Sequence, residues 1–118
     1  MTYQEIQKEI FKLESIDSRP VYYYSSEKAR YLFLNKVPAK DLTLAKWEFA
    51  AKKKWLFFCK HKVRYMGDAC GMCFEATDCS MCLLRKVSIN GRPCVDPNFP
   101  LTTYLALKRV FKKWNIKK

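Results

Sequence analysis

Cys70-Gly71-Met72-Cys73 and Cys79-Ser80-Met81-Cys82 place four thiols within thirteen residues, as two Cys-x-x-Cys pairs separated by five residues. Cys94 follows twelve positions later, and Cys59 and His61 precede. A Cys-x-x-Cys pair lets two thiolates hold one ion from a single turn, and two pairs complete the four-ligand set of a closed zinc site. The spacing predicts one metal site with Cys70, Cys73, Cys79 and Cys82 as ligands and Cys94 as a possible replacement for one of them. Six Cys and one His make seven candidate donors, one short of two independent four-ligand sites. Cys59 adjoins Phe58 at the end of a predicted helix, which suits a buried thiol better than a ligand, and His61 follows it there. The short spacer is unusual for a two-knuckle zinc ribbon. A 4Fe-4S cluster, which takes four thiolates at tight spacings, is the alternative to zinc.

The chain has 118 residues, enough for a single domain. No apolar signal-like run opens it, and its longest apolar run, Trp55 to Cys59, is far too short to span a bilayer. A cytoplasmic setting with reduced thiols and no membrane partner is therefore expected, and this favours metal over disulfides.

Thr2-Tyr3-Gln4-Glu5 reads as a capping box, and Tyr3, Ile6, Ile10 and Leu13 recur at helical spacing to about Ser15. Val21 to Tyr24 is β-prone, and Ala29 to Leu34 fits a helix or a strand. Asp41 is placed to cap a helix whose stripe is Leu44, Trp47, Ala51, Trp55 and Phe58, with Lys46, Lys52, Lys53 and Lys54 off it. Leu83 to Ile89 reads as a strand, and Asn90-Gly91 as the turn of a hairpin that returns Cys94 to the cluster. Pro97 to Pro100 reads as a stiff linker before a last helix, with Leu101, Tyr104, Leu107, Phe111 and Trp114 on its apolar face. The expected fold class is α+β and helix-rich: one domain with three or more helices around a Cys-rich metal-binding loop and a short β-hairpin. Residues 1–40 supply an N-terminal helix and aromatic segment, and residues 41–118 a metal-stapled basic core.

Charge decides what such a domain can bind. The net charge is +12, with seven Lys/Arg against five Asp/Glu in residues 1–40 and sixteen against six in residues 41–118. Lys52, Lys53, Lys54, Lys60, Lys62 and Arg64 run without an intervening acid, and Lys108, Arg109, Lys112 and Lys113 flank the last stripe. Such clusters suit phosphates, so nucleic acid is the first expected partner and an acidic host protein the second. The Cys region itself carries Asp68, Glu75 and Asp78 and no Lys or Arg between Met66 and Leu84, so it repels phosphate. It is a clamp, and the flanking helices are the contact surface. With one His, no nucleophile–base motif and no phosphate loop, nothing marks a catalytic site.

Lys46-Trp47-Glu48-Phe49, Cys70-Gly71-Met72-Cys73, Cys79-Ser80-Met81-Cys82-Leu83-Leu84, Gly91-Arg92-Pro93-Cys94 and Tyr104 together resemble a group of small cysteine-rich proteins encoded by bacteriophages. The likeness covers roughly residues 41–114. In that group the second pair is often followed by Pro, where this chain has Leu83. The resemblance implies a viral accessory protein with a metal site, acting in the host bacterial cytoplasm, and it implies no reaction. Cys59, Cys70, Cys73 and Cys79 are also similar in spacing to the iron–sulfur WhiB-like regulators, but the Gly-Trp-Gly turn of that family is missing and Cys82 is extra.

Overall fold

A computed structural model describes residues 2–19, 28, 35, 37, 39–65, 70–72, 82–88 and 91–114. The described residues form four helices: α1 Tyr3–Asp17, α2 Leu44–Lys60, α3 Leu83–Val87 and α4 Phe99–Lys113. No strand occurs among them. The segments Val21–Tyr24 and Ala29–Leu34 and the residues Cys73 and Cys79 lie outside them.

The apolar stripes build the helices much as their spacing predicts. Thr2 caps α1 by accepting the Glu5 amide at 3.2 Å, and Ile6, Ile10 and Leu13 are buried. Helix α2 buries Trp47, Ala51, Trp55 and Phe58. Its cap is Thr43, which accepts the Lys46 amide at 3.1 Å. Asp41 instead pairs with Arg19, whose guanidinium holds its carboxyl below the usual range. Helix α4 buries Leu107 and Phe111 and starts inside the expected linker, because Pro100 sits in its first turn, where no backbone donor is needed. Phe99 is thereby drawn fully into the core.

Helix α2 is the centre. Both α1 and α4 pack on it, and α3 packs on α4. The Trp47 indole N–H donates to the Asp17 carbonyl at 3.1 Å, at the C-terminal end of α1, and Trp47 stands edge-on to Trp114 at 6.1 Å, beyond the end of α4. Trp55, two turns on, meets Phe99 at the start of α4 at 5.9 Å. Both neighbours therefore run antiparallel to α2. Ile6 and Ile10 share one core with Trp55, Phe58, Tyr65 and Phe99, so α1 is integral to the domain.

The expected α+β class with a β-hairpin is corrected: among the described residues all regular structure is helical. Leu83 to Val87 form a short helix because Leu84 is buried, and that packing outweighs the β propensity of its neighbours. Asn90 lies outside the described residues, and a turn contact is present at Gly91. Gly91 has φ +63, where glycine carries no Cβ penalty, and its amide donates to the Ser88 carbonyl. Ser88 Oγ donates to the Arg92 carbonyl at 2.8 Å, and Arg85 Nε donates to the Gly91 carbonyl at 3.0 Å. The described residues also gather no metal-binding group around which the helices are arranged. Their shared centre is aromatic: Trp55 lies 5.3 Å from Phe58 and 4.8 Å from Tyr65 between ring centroids.

Candidate functional site

The cysteines that fall among the described residues collect at one core. Cys59, Cys70 and Cys82 are buried in it, and Cys94 packs against its edge, half-buried. Cys70, Gly71 and Met72 lie against α2, with the Gly71 backbone at the Nε1–Cζ2 edge of the Trp47 indole. Tyr65 is buried in the same core as Cys59, Cys70 and Cys82. Burial first, and then the nearby Cys70, Glu14, Asp17 and Cys94, hold its hydroxyl proton far above the usual range. Cys94 arrives at the edge of the core on the turn closed by the Asp96 amide on the Pro93 carbonyl at 3.0 Å, not on a hairpin strand.

Thiolate is the donor type that zinc and iron–sulfur clusters take. Cys70 and Cys82 bring two such side chains to the same buried core. Among the described residues no three His, Cys, Asp or Glu side chains converge as a ligand set, and the intervening ligands expected at Cys73 and Cys79 lie outside those residues. Cys59 stands apart in character. Burial raises its thiol to about 12, so it stays protonated at neutral pH. In the native protein Cys59 is expected to resist iodoacetamide at pH 8, and to react once the chain is denatured; rapid native alkylation, located by mass spectrometry, would contradict this burial.

The basic residues divide into three groups. Lys54 is fully buried and ion-paired with Asp17, and its ammonium lies 5.2 Å from the ring centroids of both Trp55 and Tyr65. It cannot reach a phosphate at the surface, and its inclusion among the expected contact residues is corrected. The reason is register: position 54 falls between Ala51 and Trp55 on the buried face of α2. Lys52 pairs with Glu48 at 2.6 Å and lies over the Trp114 ring at 5.4 Å. Lys53 reaches Glu9 at 3.6 Å and covers Phe49 and Phe57. These two tie α2 to its neighbours.

The third group points outward. Lys60, Lys62 and Arg64 are exposed at the C-terminal end of α2 and just beyond it. Lys108, Arg109, Lys112 and Lys113 are exposed along α4, a helix whose sequence contains no Asp or Glu. Because α2 and α4 are antiparallel, the two groups sit towards opposite ends of the pair. Half-buried His61 follows Lys60. Burial and the Lys60 charge lower its pKa from the ordinary 6.5, so its imidazole is neutral at pH 7.

No described helix is long and apolar enough to cross a membrane. No protein-family model matches the chain, and comparison with curated proteins and with solved structures gives no match.

Proposed function

We propose that this protein binds nucleic acid largely through phosphate contacts made by Lys60, Lys62, Arg64, Lys108, Arg109, Lys112 and Lys113. One observation carries the reading: seven cations stand exposed, four of them on a helix without a single carboxylate, while Lys52, Lys53 and Lys54 are spent on internal pairs. Uncompensated basic patches are held at a cost in self-repulsion, and a polyanion relieves it. In a titration of a short oligonucleotide, affinity is expected to fall linearly with salt on logarithmic axes. The loss between low and near-physiological salt should be roughly a thousandfold, if six or more phosphates are engaged. No binding at low salt, or binding indifferent to salt, would sink the reading.

The cysteine cluster enters this proposal as a support for the basic helices, loaded with zinc through Cys70, Cys73, Cys79 and Cys82. Freshly purified protein is then expected to be colourless with about one zinc per chain, and Cys82→Ser to lose the metal together with several kcal/mol of stability. A broad visible absorption band with bound iron would assign an iron–sulfur cluster instead. A metal-free Cys82→Ser chain that unfolds as cooperatively and as late as the wild type would remove the metal altogether.

A second reading has its own observation. Leu101 and Leu105 are 54% and 67% exposed on α4, and Leu105 lines a shallow depression of about 350 Å³ with Lys108, Arg109 and Lys112. Apolar side chains among cations suit an acidic protein partner. Retention of a stoichiometric partner after nuclease treatment favours that reading, and loss of every partner favours nucleic acid.

A further inference from the structure

A groove of about 630 Å³ opens where the N-terminal half of α1 crosses the end of α2. Ile10, Phe58 and Val63 line it. Tyr3 and Phe11, both on α1, stand in it with 69% and 67% of their surface in water. They are eight residues apart on one face, about 12 Å along the helix. Gln7, between them, donates to the Tyr3 hydroxyl at 2.9 Å and fixes the edge of that ring. His61, Lys62 and Arg64 form the opposite wall.

Lys62 is held there against its own backbone preference. Its φ is +56, and it is the sole non-glycine residue with positive φ among those described. The amide of Val63 bonds the Phe58 carbonyl at 2.8 Å, so Lys62 occupies the left-handed position of a Schellman closure, where glycine is the favoured residue. A long cationic side chain is thus projected at the groove from a position that disfavours any side chain. Unfavourable backbone of this kind clusters at functional sites.

We propose that this groove seats an unstacked base of a single-stranded nucleic acid against Phe11 and Tyr3, with Lys62 and Arg64 on the adjoining phosphates. The inference rests on the phosphate-binding reading above and adds the form of nucleic acid. Exposed ring faces beside cations match what single strands offer, a π-face and a phosphate on each unit. A duplex keeps its base faces stacked away. The space lies within the ~300–1,000 Å³ usual for pockets that hold a small ligand. Arg64 is oriented for the task, since its Nε donates to the Val95 carbonyl at 3.2 Å. One acid, Glu14, also lines the groove, and its charge is among those that raise the pKa of the buried Lys54. An acidic peptide offers the charge but no flat rings for Phe11 and Tyr3.

The test uses the full chain, a short labelled single-stranded oligonucleotide, and the same sequence annealed to its complement, at low salt. The single strand is expected to bind about tenfold tighter or more. Phe11→Ala should weaken it roughly fivefold or more and leave duplex binding unchanged. Lys62→Gly should weaken binding and reduce the salt slope by about 1, while raising the midpoint of thermal unfolding because the left-handed position is relieved. Equal affinity for both forms, or Phe11→Ala binding like the wild type, overturns the groove and leaves the phosphate reading standing. Displacement by poly-glutamate as effective as by unlabelled oligonucleotide overturns it in favour of an acidic protein. Absence of binding to either form at low salt overturns the phosphate reading itself, and the groove with it.

Discussion

Gly71→Ala is expected to destabilise the protein by about 3 kcal/mol or more and to unseat the first Cys-x-x-Cys turn. A Cβ at position 71 would lie 2.3 Å from Trp47 Nε1 and 2.5 Å from Cζ2. Trp47 has little room to retreat: it is 1% exposed, its N–H is bonded to the Asp17 carbonyl, and Trp114 packs against it in a T-shaped contact. Overpacking of this kind typically costs ~1–3 kcal/mol, and more where the opposing group is rigid. For a domain of this size the thermal midpoint should drop by roughly 10 °C or more. Trp47→Leu removes the obstructing ring, so the double variant Trp47→Leu/Gly71→Ala should cost less than the sum of its parts. Additive costs, measured by denaturant unfolding, would show that Gly71 and Trp47 do not meet.

The second large effect belongs to Lys54. Lys54→Met is expected to cost about 3–5 kcal/mol, because it leaves the Asp17 carboxylate buried without its cation. Asp17 is already short of partners, since its Oδ1 has no hydrogen bond among the described residues. Burial disfavours a charged Lys54, but Cys70, Asp17 and Glu14 nearby more than offset this and raise its pKa, so the ammonium persists. Replacing both members, as Lys54→Met/Asp17→Leu, removes both buried charges and should recover most of the loss. Recovery would identify the pair as a device joining α1 to α2 that apolar packing can replace. A Lys54→Met chain as stable as the wild type would mean that the pair is not buried in solution.

The helices were largely legible in the sequence because a stripe at helical spacing needs only local geometry. Ile6, Ile10 and Leu13, or Trp47, Ala51, Trp55 and Phe58, announce a buried face whatever they pack on. The ends of stripes were less legible. Tyr3 and Leu101 continue the pattern but project past the edge of the core, and they are exposed. Lys54 could not be read correctly from its own segment, since its burial depends on Asp17, thirty-seven positions away. The same holds for α3: a five-residue segment with three apolar positions, Leu83, Leu84 and Val87, fits strand or helix, and only the packing of Leu84 decides. Thr43 displaced Asp41 as a cap because Arg19 had claimed the carboxylate.

Of the candidate surface, the outward cations of α4 followed from the same periodicity that marks Leu107 and Phe111 as buried. The groove did not. It forms between Tyr3–Phe11 and Phe58–Arg64, two segments about fifty residues apart, and its strained Lys62 gives no sign in the sequence.

The most direct measurement replaces Lys108, Arg109, Lys112 and Lys113 together with Gln and follows oligonucleotide affinity against salt. These side chains are exposed, so unfolding should match that of the wild type. With phosphate contacts on α4, the slope of log affinity against log salt should become shallower by about 3, and low-salt affinity should fall by roughly tenfold or more. A folded variant with the affinity and slope of the wild type would contradict the account.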